Sequence, residues 1–359
     1  MLFVVACVSL PTTAVSLCEY RSVESAMADS RLSFAYRYYD DAATPVIDVN
    51  SGRLAATYEW LSDSPNLGLS VAASCELALS GFVPTAWLGH GASTARLYPW
   101  SEGIFFLFGG LEAAAATGLV QPGLDARAGL GLGRFTDVTP LAKAMEIDEE
   151  LVALGALPGG LSDDVVLAVA KLVGRAREYP STADLVADIE AVVEFDAGVP
   201  LDARALLAIE EVVLSTGRER RCGWALQAGV GYELLDPYGG AQSVIFAGSG
   251  DAALAAGPDN QLLLHVSYSG PFDALDENSL IGAASYVLDF GKGQSLTAGY
   301  TLARIKPSGM SAATTHEASL GITFSIARGS LGLQISVSRA SGDPGWSIDV
   351  SMSAALDLL

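Results

Sequence analysis

Long stretches of this chain alternate apolar and small or polar residues with period two, which is the pattern of β-strands with one apolar face. In Arg31 to Tyr38, Leu32, Phe34, Tyr36 and Tyr38 share a face. In Leu67 to Ser80, the odd-numbered positions from Leu67 to Leu79 oppose Gly68, Ser70, Ala72, Ser74, Glu76, Ala78 and Ser80. The C-terminal third repeats the pattern in Leu264–Tyr268, Leu320–Ile326, Leu331–Val337 and Trp346–Ala354. A soluble β-sandwich turns such faces inward, whereas a transmembrane barrel turns them to lipid and keeps small or polar groups in its lumen. Strand length separates the two, because many of these segments run about ten residues or more, the length that crosses a bilayer when tilted.

Connection lengths point the same way. Short links fall near 62–66, 101–103, 256–260, 291–293 and 328–330, and longer ones near 40–52, 80–93, 270–278, 305–314 and 341–345. Short turns at one end and long loops at the other are the habit of outer-membrane barrels. The reading is a mainly β fold: an antiparallel transmembrane β-barrel of about 14 strands (12–16 allowing for miscounts), with both termini on the short-turn side. The strands divide into a first half over 31–136 and a second over 222–359.

Between 137 and 221 the period becomes helical. Leu141, Ala144, Met145, Leu151 and Leu154 fit one helix. Ser162 is placed to cap a second, Ser181 with Asp184 a third, and Asp202 a fourth. This insert holds 17 acidic against 8 basic residues, close to half of the net charge of −21, so it reads as a water-facing module of about four helices. It joins the sixth strand, 124–135, to the seventh, 222–235, on the short-turn side, which places it in the periplasm.

Composition then fits. The chain is 50% hydrophobic but only 17% charged, and no 20-residue apolar run suits a membrane helix. The excess of acidic over basic residues is the wrong sign for nucleic acid. Residues 1–16 combine an apolar run with the small residues Ala14 and Ser16 of a cleavage site, so they read as a signal peptide, the missing basic region reading as a truncated start, with a buried strand as the alternative; 17–30 follow as a periplasmic N-terminal segment. Cys18, Cys75 and Cys222 would remain after cleavage, and spacing alone leaves a Cys18–Cys222 disulfide open.

The run Gly129-Leu130-Gly131-Leu132-Gly133-Arg134-Phe135-Thr136-Asp137-Val138-Thr139-Pro140-Leu141 resembles bacterial outer-membrane barrel proteins in which a Gly-rich strand passes through a G-R-x-x-D-V step into helices. Gly133, Arg134 and Asp137 mark this strand-to-helix junction. The resemblance implies an outer membrane of a Gram-negative-type envelope and no activity. The chain departs from many such proteins in lacking a C-terminal aromatic residue.

No HExxH, GxSxG or P-loop motif is present and no Cys/His metal spacing, so no catalytic residue, metal or cofactor is assigned. His265 shares its face with Ser267 and Ser269, which raises an outer-membrane lipid hydrolase as a distant third reading; a solvated lumen histidine is the simpler account. His90 is placed in an outer loop, and Arg218 to Arg221 near lipid phosphate or, more commonly, a helix C-terminus. Alternation puts Glu59, Glu76, Glu112, Asp125, Glu233, Asp251, Asp289, Glu317 and Asp349 on the inward face with Arg53, Arg127 and His265. Such a wall makes a passive, porin-like, cation-preferring transport pore the first reading, with local pairing of the carboxylates or a plugged interior as the alternative. A structural or adaptor barrel, whose insert over 137–221 binds a periplasmic protein or the cell wall, is the second. The lipid bilayer is the one partner common to both.

Overall fold

The computed structural model describes residues 16–20, 25–39, 49–101, 103–215, 219–237, 239–240, 242–271, 278–290, 293–306, 310–326 and 329–357. The signal segment, apart from Ser16, lies outside the described residues. Fourteen antiparallel strands close into a barrel. They are β1 Ser25–Tyr39, β2 Val49–Asp63, β3 Leu67–Ser80, β4 Val83–Leu97, β5 Phe105–Ala116, β6 Gly123–Asp137, β7 Arg221–Leu235, β8 Val244–Gly257, β9 Asn260–Pro271, β10 Asn278–Asp289, β11 Gln294–Lys306, β12 Ala313–Ile326, β13 Gly329–Ala340 and β14 Ser347–Asp357. Each strand pairs with its sequence neighbour, and β1 closes on β14 through Arg31↔Asp357 to Phe34↔Ala354.

Two departures from the alternation reading have one cause. β1 begins at Ser25, earlier than the alternation is visible, and β4 runs through Val83–Leu97, where a long loop over 80–93 is expected from sequence. Ser25 to Ser30 and Thr85 to Ser93 are mostly small or polar, so the period-two signal has no amplitude there. The link between β3 and β4 is the two-residue turn Gly81–Phe82, with φ of 57° and 63°. Positive φ at both central residues is the geometry that matches strand twist in a tight hairpin.

One face of the wall is apolar and exposed. Leu107, Leu111, Leu130, Leu132, Leu226, Val230, Leu264, Val266, Leu320, Leu333, Ile335, Val350 and Met352 all stand exposed on it. A continuous apolar surface of this extent is not tolerated by a monomer in water. Aromatic side chains gather towards both rims: Trp60, Trp100, Trp224 and Phe324 at one end of the strands, Phe82, Trp87, Phe246 and Trp346 at the other. Such girdles mark the two interfaces of a transmembrane barrel.

The helices lie between β6 and β7: α1 Thr139–Ala153, α2 Asp163–Gly174, α3 Thr182–Ala197 and α4 Ala203–Leu214. Ser181 accepts from the Asp184 N–H at 3.3 Å, and Asp202 accepts from Arg204 and Ala205. Ser162 precedes α2 but donates its hydroxyl to Asp196 instead. Each helix turns one apolar stripe inward, burying Leu141, Ile147, Leu151, Val169, Leu185, Ile189, Val193 and Ile209 almost completely. Burial pushes the Asp148 carboxyl above its ordinary range, while the Leu161 N–H, donating at 2.7 Å, pulls it back.

This core does not end at the helices. Leu17 and Tyr20 of the N-terminal segment, and Cys222 and Ala255 of the barrel rim, belong to it. Cys18 and Cys222 form a disulfide across a sequence separation of 204. The segment Leu17–Glu19 is therefore fastened beside β7, whereas β1, which starts at Ser25, lies six strands away in the wall. Five residue steps from Tyr20 to Ser25 span at most roughly 18 Å.

Candidate functional site

Paired residues in an antiparallel ladder share a face, so one contact across the lumen orients the whole wall. That contact is Arg96 of β4 with Asp251 of β8, 3.4 Å apart although three strands lie between theirs in the wall. Through the registers, Arg96 and Asp251 share their face with Arg53, Glu59, Glu76, Glu112, Asp125, Arg127, Glu233, His265, Asp289, Glu317 and Asp349.

These residues form two unlike populations. The first is paired. Arg53 bridges Glu76, Arg127 holds Glu112 at 2.5 Å and Asp125 at 3.6 Å, and His265 Nδ1 lies 2.7 Å from Asp251. Glu233 accepts from the Ser243 hydroxyl at 3.2 Å. His90 is a strand residue of β4 rather than a loop residue, with Nε2 3.1 Å from Glu112; the short β3–β4 turn carries it onto the wall. The second population comprises Glu59, Glu317 and Asp349, exposed on β2, β12 and β14 with no counter-cation among the described ion pairs. Around the latter two, inward positions are Thr297, Thr301, Ser319, Thr323, Gln334, Ser336, Ser338 and Ser351. One arc of the lumen is thus lined by small hydroxyl groups and unpaired carboxylates, the other by ion pairs and rings.

Ser267 and Ser269 do share the inward face with His265, but among the described hydrogen bonds neither reaches its ring, which is held by Asp251. His316 points outward to the Tyr300 hydroxyl at 2.8 Å, while the adjacent Glu317 points inward.

The glycines of β6 explain the filled arc. Gly131 is the register partner of Phe106 and Gly129 of Phe108. A Cβ on Gly131 would lie 2.1 Å from the Phe106 ring, and one on Gly129 2.6 Å from Phe108. The space that the alternating glycines leave is therefore occupied by these rings. Tyr98 completes the cluster, its ring 5.4 Å from Phe106, with Arg96 over Phe106. Gly133 and Gly223 have φ of 103° and 100°, and a Cβ on either would strike the backbone of the neighbouring strand. Only glycine lets β6 and β7 approach this closely while bending. Gly131→Ala should therefore overpack the fully buried Phe106 by about 1–3 kcal/mol. Heat-modifiable gel migration reads this as a lower conversion temperature, relieved in the double variant with Phe106→Leu.

The junction residues act at the mouth. Arg134 donates to the carbonyls of Ser64 and Pro65 in the β2–β3 turn, at 3.0 and 2.9 Å, and to Ser101 at 2.6 Å. Its guanidinium covers the Tyr98 ring at 4.6 Å. Asp137 points its backbone N–H at the Asp63 carboxylate and accepts the Thr139 N–H on Oδ1 at 3.0 Å. The ends of β6 and β2, four strands apart, thus meet across the lumen. Around this crossing lies a cavity of about 350 Å³ lined by Asp63, Arg96, Tyr98, Asp137, Arg221 and His265 among others. A second of about 250 Å³, reaching Asp29 and Glu59, shares Asp137 and Arg221 with it.

The basic run before β7 departs from both expectations. Arg220 is 2% exposed, paired with Asp289 at the end of β10 and donating to the Pro258 carbonyl at 2.7 Å. The C-terminus of α4 is served by Lys143, which donates to Val213 and Ser215 at 2.8 Å each. Arg221 faces the lumen cavities, its guanidinium 5.9 Å from the Phe135 ring centre, and Arg218 lies outside the described residues. Arg96 and Asp63 are not singled out from the sequence, and Arg221 only as part of the basic run that closes the insert. Their importance depends on contacts across the lumen, and only their inward parity was readable.

Fold and interior together define a class: a closed, even-numbered, antiparallel β-barrel on the plan of outer-membrane barrels, with an apolar outer belt, a polar interior and a helical insert at one mouth. No protein-family model and no curated protein matches the chain. Among solved structures it is similar to the CymD monoaromatic hydrocarbon channel, at 9% identity over 95% of this chain and 90% of that one, with a TM-score of 0.35. The outer membrane channel DcaP of Acinetobacter baumannii gives 7% identity, 93% and 97% coverage and a TM-score of 0.38. The outer membrane protein OpdK from Pseudomonas aeruginosa gives 9%, 92% and 99%, and 0.34.

Proposed function

We propose that this chain is an outer-membrane barrel forming a passive, cation-preferring pore, with the insert and both termini in the periplasm. The observation that carries the reading is that Glu317 and Asp349 on the hydroxyl-lined arc, and Glu59 on β2, have no counter-cation among the described ion pairs, while Arg53, Arg96 and Arg127 are neutralised by carboxylates. Unpaired carboxylates in a confined aqueous path raise the local cation concentration. The exposed apolar belt and aromatic rims support the membrane, and a disulfide on the insert side supports an oxidising compartment there.

Neutralising the three together, Glu59→Gln, Glu317→Gln and Asp349→Asn, should move the cation-to-anion permeability ratio of the pore towards unity without changing its heat-modifiable migration. An unchanged ratio would remove the basis for the selectivity. A second reading, an adaptor barrel, is favoured by Phe195 on α3 and Leu207 on α4, which are 92% and 64% exposed on the insert. It expects specific loss of a partner when 137–221 are deleted, and no step currents from the intact chain.

A further inference from the structure

The inward arginines Arg31, Arg53, Arg96 and Arg127 each have a carboxylate beside them, from Asp29, Glu76, Asp251 and Glu112 respectively. Arg221, inward as the register partner of Asp137, has none: among the described residues its side chain belongs to no ion pair and no hydrogen bond. Its root is nevertheless fixed. The backbone N–H donates to the Gln261 side chain, and the guanidinium lies 5.9 Å from the Phe135 ring centre. Arg96 Nε and Arg127 Nε are sealed from the lumen, but no nitrogen of Arg221 is, so its free N–H groups open onto it.

The carboxylates nearby are mostly engaged elsewhere. Asp251 is shared by Arg96 and His265, Asp29 lies beside Arg31, Asp137 accepts from the Thr139 N–H, and Asp63 faces the Asp137 N–H. Glu59 and Glu219 are the exceptions. Both line the cavity of about 250 Å³ with Arg221, and neither is in a described ion pair. Of the charged residues, only Asp137 and Arg221 line both this cavity and the one of about 350 Å³. Asp137 is 2% exposed, so Arg221 is the open charge that an ion meets in passing from one cavity to the other.

A salt-bridged arginine presents little net charge to a passing ion, whereas an unpaired guanidinium presents all of it and is protonated at every working pH. Fixed charge on a confined aqueous path favours ions of opposite sign and repels those of its own. We propose that Arg221 is a specificity-determining residue of the lumen, a positive charge at the insert end that opposes Glu59 and Glu219 and limits how strongly the pore prefers cations. The proposal rests on the reading of the chain as a conducting pore.

Reversal potentials of the full chain in planar bilayers, under a potassium chloride gradient, test it through a series graded by charge. Arg221→Gln should raise the potassium-to-chloride permeability ratio at least about twofold, the effect of one unit charge acting over about 8 Å in water. Arg221→Glu should raise it further, and Arg221→Lys should keep the parent ratio. The double variant Arg221→Gln with Glu59→Gln should lie nearer the parent than either single variant. These differences should shrink near 1 M salt, where the screening length falls to about 3 Å. Heat-modifiable migration of the variants should match the parent, because the side chain they replace makes no ion pair or hydrogen bond. Currents that keep the parent ratio in both the Gln and Glu variants would overturn the proposal and leave the pore standing. A shift of equal size in the Lys variant would also overturn it, since shape rather than charge would then be the cause. A parent chain that passes no current would remove the pore, and this role of Arg221 with it.

Discussion

Arg220→Met should lower the stability of the folded chain by about 3–5 kcal/mol, the cost of removing one partner of a buried ion pair. Arg220 and Asp289 have side chains only 2% and 7% exposed, and the guanidinium also satisfies the Pro258 carbonyl in the β8–β9 turn. The residue therefore joins three parts of the mouth: the return from the insert, the turn and the end of β10. Thr139 and Val138 secure the same point through the Arg220 backbone at 2.8–2.9 Å. Losing the side chain should loosen the insert before the barrel wall. Limited proteolysis should cut the insert of the variant sooner, and its heat-modifiable band should convert at a lower temperature. Replacing both partners, Arg220→Met with Asp289→Leu, should recover much of the loss, because both charges of the buried pair are then removed together. Equal losses in the single and double variants would show that the pair is not the cause.

Replacing Cys18 and Cys222 together by Ser should cost about 2–5 kcal/mol, near the upper end for a loop this long if chain entropy governs. The bridge holds the N-terminal segment beside β7 and inside the hydrophobic core of the insert, where Leu17 and Tyr20 are buried. Reductant should bring the parent down to the level of the variant and should not affect the variant. A parent whose conversion temperature ignores reductant would mean that packing alone secures the segment.

What the sequence makes legible follows from the range of each interaction. Strands such as β12, β13 and β14 alternate large apolar with Ser, Thr and Gly, so lipid and lumen faces separate on inspection. The caps Ser181 and Asp202 act over three residues and are equally readable. β4 is not, because Gly89, Gly91 and Ala92 carry no contrast between faces. The complement of Phe106 and Phe108 to Gly131 and Gly129 is written in two strings of alternate residues, but it becomes visible only once the β5–β6 register is known. Contacts over four strands, Arg96 with Asp251 and Asp137 with Asp63, leave no local trace at all. Parity shows Asp251 to be inward; the bend that Gly133 and Gly223 permit decides what it meets.

We propose a conducting lumen in which Glu59, Glu317 and Asp349 favour cations. Reconstituting the purified chain in planar bilayers under a potassium chloride gradient tests it most directly. Step currents whose reversal potential has the sign of potassium permeation are the predicted result. A reversal potential at zero or of chloride sign, or a chain that inserts with heat-modifiable migration yet passes no current, would contradict the account.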